Sequence, residues 1–151
     1  MNQSCIPVDA VVRIRQMNGI IFYLWLALGG AVGTISRYGV DALCKQYLNA
    51  FLPWGTLSVN LAGSFVIGIL FSWLTAQDTP MQEQSAYPLL FVGFCGAFTT
   101  FSSFSLQLFQ LVQAGQLLRA FGYALFSVIV CLALVAAGYA AGLKCAGASS
   151  A

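Results

Sequence analysis

The chain has 151 residues, 60% of them hydrophobic and 7% charged, with a net charge of +2. A soluble domain carries roughly 25% charged residues, so this one cannot clothe itself for water and takes lipid as its solvent. It has no histidine and only four acids, Asp9, Asp41, Asp78 and Glu83, which argues against an enzyme or a side-chain metal site, while the small scattered charge argues against nucleic acid.

Residues 1–17 read as an N-terminal tail, 18–143 as a single transmembrane domain and 144–151 as a C-terminal tail. A spanning helix needs about 20 mainly apolar residues, and four segments qualify. The first covers residues 18–43. Its apolar run is too long for a signal peptide and carries Arg37 near its end. The second covers 55–76, the third 88–112 and the fourth 118–143. Polar breaks separate them, and Pro53, Pro80 and Pro88 mark loops or helix starts. Small residues at helical spacing, Gly29 with Gly33, Ser64 with Gly68 and Gly138 with Gly142, predict close helix contacts. Cys5, Cys44, Cys95, Cys131 and Cys145 are odd in number and lack a CxxC pair, so a disulfide framework is not expected.

The third span holds the most informative stretch, GFCGAFTTFSSF at 93–104. Glycines and adjacent threonines weaken a helix, and backbone groups freed in lipid must find partners or face a cavity. The expectation is a helix broken near its middle, where half-helix ends form an ion or substrate site.

Polar residues inside the spans each allow two readings. Asn60 shares a helical face with Thr56; it is either glue between helices or a donor lining an anion path. Phe101 and Phe104 fall on one face if the helix resumes after Gly96, and ring edges are electropositive; ordinary packing is the plainer account. Thr99 with Ser102 and Thr100 with Ser103 place hydroxyls three residues apart. Tyr123, Ser127 and Cys131 make a weakly polar stripe on the fourth span. Arg37 can pair with Asp41 one turn on, and serves either as an interfacial anchor or as a vestibule charge that attracts anions. No carboxylate lies mid-span, which weighs against a proton-coupled pump.

Charge gives no orientation. Arg13, Arg15 and Lys144 fall on one side and Arg37, Lys45 and Arg119 on the other, three against three. The positive-inside rule then has nothing to act on. Either Arg13 and Arg15 dominate and hold the N-terminus in the cytoplasm, or the chain inserts both ways and pairs antiparallel.

GGAVGTISRY at 29–38, GTLSVNLAGSFVIG at 55–68 and GFCGAFTTFSSF at 93–104 resemble the three signatures of the CrcB/Fluc fluoride channel family in order and spacing. The resemblance implies an all-α, multi-pass protein of the bacterial inner membrane that passively exports toxic fluoride. It implies an antiparallel, dual-topology homodimer with two pores. By position, Asn60 becomes the pore asparagine, and Phe101 and Phe104 the rings that border the ion. Thr100 and Ser102 supply hydroxyls, with Tyr123 and Ser127 on the fourth-helix side. A structural sodium is implied at the dimer interface, on backbone carbonyls of Gly96 and Thr99 from both subunits. Ser103 and Cys131 depart from the family's more usual threonine and serine, and the N-terminal tail is longer than a minimal member needs. Two other classes fit four spans. A multidrug-type transporter would need an embedded carboxylate, and a structural subunit would tolerate changes in the third span.

Overall fold

The computed structural model describes residues 19–48, 51–77 and 79–148. The N-terminal tail 1–17, with Arg13 and Arg15, lies outside the described residues, as does Asp78. Four helical stretches are long and apolar enough to cross a membrane: Gly19–Tyr47, Trp54–Thr75, Tyr87–Gln113 and Leu117–Lys144. The chain is an all-helical, multi-pass membrane protein, as its composition requires.

Helix α1 (Gly19–Tyr47) runs past the end of its apolar stretch. An i,i+4 ion pair, Lys45 Nζ to Asp41 Oδ2 at 2.6 Å, supports that last turn. Asp41 therefore pairs with Lys45 rather than Arg37. The Arg37 side chain turns to the third span instead, where its Nε donates to the Ala97 carbonyl at 3.1 Å. Helix α2 (Trp54–Thr75) starts directly after Pro53, whose missing N–H costs nothing there. Its far end is closed by Gln84, whose Nε2 donates to the Leu74 and Thr79 carbonyls at 2.9 Å each.

The third span is composite. Helix α3 (Tyr87–Cys95) is π-wound, with Pro88 in its first turn. One α-turn, Gly96–Phe98, follows. Thr99 and Thr100 are then extended, at φ −84°, ψ 159° and φ −153°, ψ 119°. Helix α4 (Phe101–Gln113) starts anew, and the Thr100 hydroxyl caps it by accepting from the Ser103 N–H. Its other end closes through Gly115, at φ 72°. The Gln116 and Gly115 amides donate back to the Leu111 and Val112 carbonyls, a left-handed glycine cap that few other residues would permit. Helix α5 (Leu117–Ala148) runs through the first residues of the segment read as a C-terminal tail.

Two interfaces hold the bundle. α2 packs along α5, and α1 packs along α3. Glycine makes both possible. A methyl group on Gly29 would run into the Leu89 carbonyl of α3, and one on Gly138 into the Phe65 carbonyl of α2. Lipid supplies no hydrophobic drive between helices, so this close backbone approach gives the van der Waals contact that lipid cannot.

Candidate functional site

Asn60 joins α2 to the extended pair of the third span. Its Nδ2 donates to the Thr100 carbonyl at 3.1 Å, and its Oδ1 accepts from the Thr100 N–H at 2.8 Å. One amide thus satisfies both backbone groups of a residue that has left the helix. An amide carries two N–H donors, so one remains for whatever lies beside it.

What lies beside it is a cavity of about 330 Å³. Asn60, Thr99, Thr100, Phe101, Phe104 and Ser127 line it, together with Gly63, Ser64 and Cys131. No charged side chain is among its walls. Phe104 is buried, its ring 5.8 Å from that of Phe101 and 5.2 Å from that of Tyr123. Phe101 is 79% exposed on the single chain. Ser127 is buried, and its Oγ has no hydrogen-bond partner among the described residues.

A second hollow of about 250 Å³ shares Thr100 with the first. Its walls include Arg37, Asp41, Lys45, Thr56, Ser103 and Gln107. A third of about 360 Å³ shares Asp41, Lys45, Gln107 and Gln110 with the second and reaches Phe51 and Trp54 in the first loop. The hollows form a series. Charged groups stand at its outer end, and the uncharged chamber lies at its inner end.

Most residues singled out in the sequence meet here. Tyr123 stands just behind the chamber, and its hydroxyl donates to Gln107 Oε1 at 3.3 Å. Ser102 is exposed and joins only through the Thr100 hydroxyl, 3.2 Å away. Gly96 is exposed, with open space where a Cβ would stand. Arg37 reaches the second hollow but not the chamber.

Sequence reasoning passed over Gln107. Its Nε2 donates to Thr56 Oγ1 at 2.8 Å, so it links α2, α4 and α5 in one chain of hydrogen bonds. A signal existed: Ser103, Gln107 and Gln110 recur at helical spacing, the stripe of a polar face in an apolar span.

The model of the family described as "CrcB-like protein, Camphor Resistance (CrcB)" matches residues 24–139. Proteins that carry the name fluoride-specific ion channel FluC are among this chain's relatives. The protein from Hahella chejuensis is 46% identical over 117 residues, covering 78% of this chain and 91% of its own. That from Magnetococcus marinus is 45% identical over 108 residues, covering 72% and 86%. That from Methylocella silvestris is 39% identical over 117 residues, covering 78% and 89%. The matched stretch takes in the two helices joined by Asn60 and every residue of the chamber, and this chain belongs to the CrcB family.

Proposed function

We propose that the chain is a fluoride-selective channel that lets cytoplasmic fluoride leave the cell passively. The observation that carries this reading is the uncharged chamber at the extended Thr99–Thr100 pair. A small halide sheds water only where donors replace it. The spare Asn60 N–H and the edges of Phe101 and Phe104 are donors that carry no charge, and the unpartnered Ser127 hydroxyl would join them by rotation of its side chain. Without a fixed cation the ion is held weakly enough to leave, as conduction requires. Asp41 offsets Lys45 at the outer hollows, which leaves Arg37 as the charge that raises the local anion concentration. Gln107 aligns Thr56 and Tyr123 behind the chamber.

The working unit in this reading is an antiparallel homodimer in the bacterial inner membrane, with chains in both orientations and two conduits. The exposed Phe101 ring and the open surface at Gly96 support it, because a second copy would wall the chamber on that side. The balanced Lys and Arg count supports it too.

A sodium ion at the interface suits the backbone. The amides that would close a continuous helix onto the Gly96 and Thr99 carbonyls are those of Thr100 and Ser103. Both are engaged elsewhere, with Asn60 and with the Thr100 hydroxyl. Two carbonyl oxygens are thus left for a hard cation, and a second copy would add two more. When bound, such an ion would hold the two subunits together through oxygen ligands alone.

Purified protein in liposomes loaded with fluoride provides the test. The expectation is rapid electrogenic fluoride efflux and little chloride efflux, with at least tenfold less fluoride efflux for Phe101→Ile. Folded, dimeric protein that releases no fluoride would overturn the reading.

A further inference from the structure

Ser64 stands in the chamber wall and has no part in the donor set just described. It lies on α2, one turn beyond Asn60 and on the far side of it from the outer hollows. Asn60, Gly63, Ser64 and Ile67 all line the chamber. Their spacing of i, i+3, i+4 and i+7 marks one helical face, so Ser64 shares the side of α2 that Asn60 turns to the third span. The residue is half-buried, and its oxygen keeps accessible surface, whereas that of Ser127 has essentially none.

The Ser64 proton is also uncommitted. A serine or threonine inside an apolar helix commonly gives its proton to a carbonyl three or four residues back. Ser72 donates to Ile69, Thr75 to Phe71, Thr99 to Cys95 and Ser105 to Phe101 in this way. Ser64 has no hydrogen-bond partner among the described residues. Beyond Ile67, α2 and α5 meet backbone to backbone, where a methyl on Gly68 would run into the Val135 carbonyl. Ser64 is therefore the last uncommitted hydroxyl on α2 before the two helices close. An anion that leaves the spare Asn60 N–H finds it one turn further on, a rise of about 6 Å.

We propose that Ser64 is a second fluoride-binding donor: its hydroxyl takes the ion after Asn60, at the inner end of the chamber. The inference rests on the channel reading above. A neutral hydroxyl gives the ion a partner without a charge to trap it. Its accessible oxygen sets it apart from a packing serine, whose role the spacing with Gly68 alone would suggest.

Purified full-length protein in liposomes is compared with Ser64→Ala and with Ser64→Cys, which is close in shape but a weaker donor. Fluoride efflux is measured across a range of internal fluoride concentrations, with melting temperature and oligomeric state in detergent alongside. Ser64→Ala should lose about fivefold in efflux at low fluoride, the equivalent of one neutral hydrogen bond, and less as fluoride is raised. Ser64→Cys should fall between it and the unchanged chain. Melting temperature and oligomeric state should not move, because the hydroxyl has no partner among the described residues. Efflux from Ser64→Ala equal to that of the unchanged chain would overturn the proposal. So would a loss that is the same at every fluoride concentration, or one that follows a change of oligomeric state, because either reports fewer working channels. If Ser64→Ala does not fold, Ser64→Cys decides on the same readings. An unchanged chain that passes no fluoride removes the channel reading and this donor with it; one that conducts beside an unimpaired Ser64→Ala removes Ser64 alone.

Discussion

Single polar atoms set the chemistry of this chain because so few of them lie within its spans. Asn60 spends one N–H and its oxygen on Thr100. Each such hydrogen bond is worth about 1 kcal/mol net, and leaving both Thr100 groups bare in an apolar bundle costs more. Asn60→Ala should therefore lower fluoride efflux tenfold or more and also lower the melting temperature in detergent. Ser127 behaves in the opposite way. Its buried hydroxyl has no partner among the described residues, so its removal relieves an unsatisfied group. Ser127→Ala is expected to leave stability unchanged or slightly raised while efflux falls several-fold. A clear drop in melting temperature would mean that the hydroxyl has a structural partner, and would remove it from the donor set.

Elements follow from backbone contact more than from side chains. Glycines at Gly29 and Gly138 let α1 meet α3 and α5 meet α2 carbonyl to Cα. Gly138→Ala puts a methyl against the Phe65 carbonyl, which cannot swing away, and overpacking of this kind costs about 1–3 kcal/mol. Gly122 on the same helix has open space around it, so Gly122→Ala should be neutral or stabilise by up to about 1 kcal/mol through helix entropy. Thermal unfolding of the two variants in one detergent checks the contrast; equal melting temperatures would mean that the bundle adjusts. The same contrast shows what was legible beforehand. Four spans were readable from apolar run length alone, and the structure ends each within a few residues of where polarity returns. Which glycines face a neighbour was only half readable. Gly29, Gly33, Gly68, Gly138 and Gly142 do so as read, while Gly55, Gly63 and Gly93 do so with no spacing to mark them, and Ser64, read as a packing residue, lines the chamber. The π winding of α3 has no counterpart in hydrophobic pattern, because a run that is apolar on all sides has no period to read. Gln107 escaped for a different reason. A glutamine near a span end looks like an interfacial residue until its partners across two helices, Thr56 and Tyr123, are known. The Arg37–Asp41 pairing failed on competition: Lys45 is as near to Asp41 along the helix, and Arg37 had a carbonyl to meet across the interface.

The whole molecule is defined by what it leaves out. No histidine occurs in the chain, and no carboxylate lines the chamber. With no carboxylate or imidazole among the chamber walls to change charge near neutral pH, fluoride conductance should stay flat between pH 6 and 7. A titration step there would mean that a group outside the chamber controls passage.

Orientation is also a property of the whole chain, and it follows from a near cancellation. Arg13, Arg15 and Lys144 oppose Arg37, Lys45 and Arg119, so two added charges are enough to decide insertion. Gln77→Lys with Gln82→Lys loads the loop between the second and third spans. Gln113→Lys with Ala114→Lys loads the loop on the opposite side. In the antiparallel reading, each doubly substituted chain inserts one way only and finds no partner of opposite sense. Either alone should fail to protect a fluoride-sensitive cell, and the two expressed together should protect it. The rescue separates this from simple damage, because two misfolded chains do not repair each other. Full protection by either chain alone would mean that a single orientation suffices, and the dimer would then have to be parallel or dispensable.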